Sequence, residues 1–156
     1  IIDPNIIDSI IEFYLSNNYD YVSNTINPTY PDGLDVEVFS FKALSTAYNS
    51  TNSKHDTEHV TPYIKNSNNF LLGSFENCSD YSGNRWTVDY EVDFKLIEQI
   101  ISYFHPRINF TMEEVLEYKI LNPEIFEINE NIKRNEGSSM SQEEKEKKFN
   151  ESLPKQ

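Results

Sequence analysis

Cysteine is nearly absent from this chain: Cys78 stands alone among 156 residues. A single thiol excludes an intramolecular disulfide and a thiolate metal cluster. No long apolar run and no leader-like segment occurs, so the chain reads as soluble and cytoplasmic, with no membrane partner. Basic residues are scarce: 13 Lys and Arg against 26 Asp and Glu, a net charge of −13. Such a surface repels phosphate backbones and argues against nucleic acid as a partner. Residues 138–156 carry four Glu and four Lys, so the acidity belongs to what precedes them. The three histidines come with no Ser/His/Asp order and no Cys/His pairing, and nothing suggests covalent catalysis.

What is present is strong local patterning. In Pro31-Asp32-Gly33 the proline presets φ and the glycine accepts φ > 0, which makes a turn. Leu34, Val36 and Val38 then alternate with Asp35 and Glu37, as in a strand over 34–39 with one buried side. Asp3-Pro4 predicts a helix start, with Asp as N-cap and Pro at the first helical position. Ile6, Ile7, Ile10, Ile11 and Tyr14 give that helix one apolar face, and Asn17-Asn18 ends it. A short strand is expected over 19–24. Further on come a helix over 41–49 with Phe41, Leu44 and Tyr48 inward, and a short helix capped by Asp56 or Thr57 and running past Pro62. Strands are expected over 70–75 and 85–88. A helix over 91–104 should turn Phe94, Ile97, Ile101 and Phe104 inward. Thr111 with Glu114 forms a capping box for another helix, with Val115, Leu116 and Ile120 inward, which Asn122-Pro123 breaks. Strands alternating with helices define an α/β layered class. Residues 138–156 lack apolar periodicity and read as a disordered or frayed polar tail behind a domain at 1–137.

Several long segments in register carry a resemblance. They are Ile2-Asp3-Pro4, residues 19–24, 30–41 and 58–64 (Glu-His-Val-Thr-Pro-Tyr-Ile), Arg85-Trp86-Thr87-Val88-Asp89 with its continuation to Phe94, and 129–137. Together they resemble the spore-coat polysaccharide type of cytidylyltransferase, related to the acylneuraminate and 3-deoxy-octulosonate cytidylyltransferases. The resemblance implies the C-terminal portion of a three-layer, Rossmann-like nucleotidyltransferase fold of the nucleotide-diphospho-sugar transferase kind. It implies a reaction in which a sugar, acidic or amino, and CTP give a CMP-sugar and pyrophosphate with Mg²⁺, in surface polysaccharide synthesis. The family's opening half, with a glycine- and basic-rich phosphate loop and a Gly-Asp acid, has no counterpart here, which implies an N-terminal half missing from these residues. Members of the family often pair, so a homodimer is a further implication. The rival reading is a non-catalytic remnant serving as a partner-binding or dimerisation module.

The candidate site residues each carry two readings. Asp89, where a strand is expected to end and a helix to begin, is by its residue type a helix N-cap; the resemblance makes it a Mg²⁺ ligand. Arg85 presents a fork of donors suited to a sugar carboxylate or phosphate, or to a surface salt bridge. Asp93 reads as a first-turn acid complementing the helix dipole. Asp35 and Glu37 match the sugar-side segment, or simply keep one sheet face wet. His59, beside Glu58, contacts substrate or orders a loop. Lys133 and Arg134 reach phosphate or end a helix. His55 and His105 match no functional position.

Overall fold

The first helix begins at the expected proline: α1 spans Pro4–Leu15. In this computed structural model residues 1–134 are described, and what the sequence suggests for 138–156 lies outside the described residues. Ile6 and Ile10 are buried along α1, whereas Ile11 is exposed. Asn17 closes the helix by donating from Nδ2 to the Phe13 carbonyl at 2.8 Å.

The strands are β1 (Tyr21–Ser23), β2 (Glu37–Phe39) and β3 (Leu72–Ser74). They form one mixed sheet in the order β2-β1-β3, with β2 antiparallel and β3 parallel to the central β1. β1 is wholly buried, as expected of a short central strand covered on both faces. The strand expected from residue 34 begins only at Glu37. Val36 instead pairs through its N–H with the Asn24 side chain and through its carbonyl with the Ser23 hydroxyl. The alternation of Leu34, Val36 and Val38 with more exposed Asp35 and Glu37 is nonetheless kept.

Helix α2 (Phe41–Ser50) starts at Ser40, whose hydroxyl accepts from the Ala43 N–H. Its buried residues are Ala43 and Ala47, which join Tyr21 and Ile64 in a core flanked by Phe39 and Leu72. The expected inward face was wrong: Phe41 and Tyr48 are exposed. Small side chains let the helix approach closely, and close approach is what secures dense packing. Where one helix was expected after residue 56 there are two, α3 (Lys54–His59) and α4 (Pro62–Asn66). Ser53 caps α3, and Val60 at φ 68° breaks the run before Pro62 starts α4.

Helices α5 (Glu91–Phe104), α6 (Met112–Leu121) and α7 (Pro123–Phe126) follow, then a 3₁₀ turn at Glu127–Asn129. The Thr111–Glu114 capping box of α6 is fully formed. Asp3 adds to that terminus, accepting from the Met112 N–H at 2.8 Å. α5 buries Asp93, Leu96, Ile97, Ile100 and Phe104, while Phe94 and Ile101 are exposed. Ile120 of α6 is likewise exposed. No helix among the described residues is long and apolar enough to cross a membrane.

The chain forms two compact units. One contains residues 4–30 and 35–80, and so the sheet; the other contains residues 1–3, 31–34 and, among the described residues, 81–134. In the second unit the segment expected as a strand over 85–88 makes a single parallel bridge, Asp32 to Arg85. The Pro31–Leu34 turn is closed by the Leu34 N–H on the Pro31 carbonyl at 3.2 Å, with Gly33 at φ +103°. A Cβ on Gly33 would stand 2.6 Å from the Trp86 carbonyl and 2.7 Å from the Thr87 nitrogen. Both obstacles are backbone and cannot swing aside. Gly33→Ala is therefore expected to lower stability by about 2–4 kcal/mol from backbone strain and overpacking, read as a shift in urea midpoint at constant m-value. An unshifted midpoint would show that the two backbones part easily.

Candidate functional site

The parallel bridge places Arg85 and Asp32 side by side. Asp32 donates its N–H to the Asn84 carbonyl at 2.9 Å, and the Trp86 N–H donates to the Asp32 carbonyl at 2.7 Å. From this rigid pairing the Arg85 side chain, 6% exposed, meets three carboxylates. Nη1 donates to Asp32 Oδ2 at 3.0 Å, and Nε and Nη2 grip Asp93 Oδ1 and Oδ2 at 3.0 and 2.8 Å. Nη2 also donates to Asp89 Oδ2 at 2.8 Å. The Asp93 carboxylate, wholly buried, further accepts from the N–H groups of Asp89 and Tyr90, both at 3.1 Å, and from Asn129 Nδ2 at 2.8 Å.

Burial opposes the charge on both Arg85 and Asp93, but their hydrogen bonds and mutual attraction outweigh it. Arg85 is thereby held still more firmly protonated, mainly by Asp93 and Asp89. Asp93 is held below the ordinary aspartate range by Arg85, then by Asn129 and the Asp89 N–H. A buried pair of this kind is sustained only when its remaining lone pairs are satisfied, as they are here.

Asp89 is the exposed member of the cluster, with 63% of its side chain open. Its Oδ2 takes Arg85 and, more weakly, the Thr87 hydroxyl at 3.3 Å. The N-cap reading of Asp89 does not hold: α5 has Tyr90 as its N-cap, and Asp93 supplies the carboxylate that receives the N–H groups there. Among the described residues no group of three or more His, Cys, Asp or Glu side chains is arranged to hold a metal ion by itself. Mg²⁺ is commonly held by one or two carboxylates with waters and substrate phosphates. Asp89 is the residue in this cluster with a carboxylate open enough to serve.

The sheet-bearing unit holds the other candidates. Glu37 accepts from the Tyr21 hydroxyl at 2.7 Å, from Thr61 Oγ1 at 2.9 and 3.1 Å, and from Lys65 Nζ at 3.0 Å. It thus ties β2 to β1 and to the start of α4. Burial, and then the hydrogen bond and negative charge of Glu37, push the Tyr21 phenol well up. Asp35 is exposed just before β2. His59, exposed at the end of α3, lies with its ring centroid 4.6 Å from that of His55. In the other unit Lys133 is exposed and Arg134 half-buried, both past the 3₁₀ turn.

Of the residues singled out from sequence, the structure brings Arg85 and Asp89 together. Asp35, Glu37 and His59 belong to the sheet-bearing unit. Sequence reasoning missed Asp32 as an Arg85 partner, although it sits in the conspicuous turn, and missed the Thr61 and Tyr21 hydroxyls on Glu37. Asn129, buried and bonded to both Asp93 and the Arg85 carbonyl, opens the resembling segment 129–137 but was not singled out as a site residue.

The α/β chain with its small mixed sheet is similar to a solved structure and to a curated relative. It matches the structure of a cytidylyltransferase from Leptospira borgpetersenii serovar Hardjo-bovis (strain JB197) with a TM-score of 0.76 and 26% identity, over 85% of this chain and 56% of that one. It is also 36% identical over 132 residues to an uncharacterized protein of Methanocaldococcus jannaschii, covering 83% of this chain and 53% of the relative. The chain thus spans about half the length of the relatives it matches. No family model matches it. The likeness supports the general cytidylyltransferase family, and the reading as a non-catalytic remnant gains nothing from it.

Proposed function

We propose that the chain is the sugar-side, C-terminal part of a three-layer nucleotidyltransferase that transfers CMP from CTP to a sugar, in surface polysaccharide synthesis. The observation that carries this reading is the structural likeness to a cytidylyltransferase over most of the chain. In the reaction a sugar hydroxyl oxygen attacks the α-phosphorus, a new P–O bond forms, and the bond to the β-phosphate oxygen breaks. Pyrophosphate leaves, and the hydroxyl proton passes to solvent. Such direct displacement needs no protein nucleophile, in keeping with the absence of a nucleophile pattern.

Asp89 is the residue proposed to hold Mg²⁺, which when bound neutralises triphosphate charge and the charge building on the leaving group. Asp35, exposed before β2, is proposed to accept hydrogen bonds from sugar hydroxyls. Glu37 is proposed to keep that stretch in place through Thr61 and Lys65. His59, Lys133 and Arg134 are proposed as outlying substrate contacts.

The test is direct. The protein at its natural length, given CTP, Mg²⁺ and a panel of neutral, amino and acidic sugars, should release pyrophosphate and form a CMP-sugar detectable by mass spectrometry. Release that is equally fast without any sugar, or none with any nucleotide, would reject the transferase reading.

A further inference from the structure

Arg85 invites reading as a substrate-binding cation, yet its surroundings leave it little freedom to be one. Four hydrogen bonds occupy its Nε, Nη1 and Nη2, out of the five N–H donors a guanidinium has. The side chain is 6% exposed and faces the carboxylates of Asp32, Asp89 and Asp93. One N–H at most is not so engaged, and the surrounding carboxylates repel an approaching sugar carboxylate or phosphate.

The same contacts have a directed consequence. Asp89 is fixed at both ends by one hub: its N–H is held by Asp93 Oδ2 at 3.1 Å, and its side-chain Oδ2 by Arg85 Nη2 at 2.8 Å. Asp93 in turn grips Arg85 through two parallel bonds and is itself steadied by Asn129. An exposed carboxylate would otherwise sample several rotamers. Held by one oxygen, it keeps the other in a fixed place for a ligand. We propose that Arg85 is a positioning residue, anchored on Asp93 and Asp32, whose task is to orient the Asp89 carboxylate toward a divalent cation. This rests on the reading of Asp89 under the proposed function.

Lysine separates position from charge, because it keeps the positive charge but lacks the planar fork. Arg85→Lys, Asp89→Asn and wild type are compared at natural length. Pyrophosphate release is measured against Mg²⁺ concentration and against sugar concentration. Mn²⁺ binding in the presence of CTP is followed by electron paramagnetic resonance. Arg85→Lys is expected to raise the half-activating Mg²⁺ concentration and weaken Mn²⁺ binding by about tenfold or more, as loss of an orienting partner typically does, with the KM for sugar unchanged. A raised KM for sugar with an unaltered Mg²⁺ profile would overturn the inference and make Arg85 a substrate ligand. An unaltered Mg²⁺ profile in Arg85→Lys beside an inactive Asp89→Asn would sink the positioning role alone. Wild-type Mn²⁺ binding in Asp89→Asn would remove the metal reading and this inference with it. If Arg85→Lys does not fold, Asp32→Asn, which loosens one anchor while keeping an acceptor for Nη1, should shift the Mg²⁺ requirement in the same direction. An unshifted requirement there counts equally against the inference.

Discussion

Asp89→Asn is expected to lower pyrophosphate release by about two orders of magnitude or more, the scale on which loss of charge stabilisation acts in the transition state. Its melting temperature should move by less than about 3 °C, in line with the small worth of exposed ion pairs. The two halves of this expectation have separate causes. Asparagine keeps an oxygen that can accept from Arg85 Nη2 but loses the charge that a hard cation requires. Stability is spared because the side chain is 63% exposed and because Asp93, not Asp89, takes the N–H groups at the start of α5. Removing one of three carboxylates around one guanidinium also relieves repulsion within the cluster. Near-normal release at saturating Mg²⁺ and substrate would take Asp89 out of the mechanism.

Local signals in the sequence translated well where the physics is local. The Thr111–Glu114 capping box needs only four consecutive residues, and it formed as read. The helix expected over 91–104 is observed as Glu91–Phe104, because its start, its length and its apolar content agree. Each observed strand lies inside a stretch expected to be extended.

The faces of α2 and α5 were another matter. In both helices apolar residues occur in more than one phase, so periodicity offers several inward faces. The choice falls to what the helix packs on. For α2 the neighbours Tyr21 and Ile64 select Ala43 and Ala47 over the bulkier Phe41 and Tyr48. For α5 the need to bring Asp93 onto Arg85 turns Leu96 and Ile100 inward at the expense of Phe94 and Ile101. Segment 85–88 reads as a strand by composition, but only Arg85 finds a bridging partner.

The candidate site was half legible for the same reason. Arg85 and Asp89 share one short segment, and so they stood out together. The Asp32 contact spans 53 residues and the Asn129 contact to Asp93 spans 36. No periodicity reports contacts at such distance. The role of Asp93 was visible in part, since an acid in the first turn of a helix favours the dipole. That it would also be the buried anchor of an arginine required the fold.

Arg85→Met should be the most damaging single substitution for stability. Methionine fills similar space with an apolar chain and has no donor for Asp93 or Asp32. Asp93 would then remain fully buried with its cationic partner gone, a situation that costs about 3–5 kcal/mol and should lower the melting temperature by roughly 10 °C or more at pH 7. Acid distinguishes this cause from simple loss of packing. In the wild type Asp93 is held below its ordinary value of 3.8, so its contribution is fully present above that pH and fades as the pH falls through the depressed value. In Arg85→Met, burial without a cation raises the Asp93 pKa instead. Its penalty is then complete at neutral pH and is relieved as the pH drops and the carboxyl takes a proton. The gap in melting temperature between variant and wild type should therefore narrow steadily from pH 7 toward pH 4. A gap that is constant with pH would attribute the loss to packing alone and deny the ion pair its part in holding Arg85.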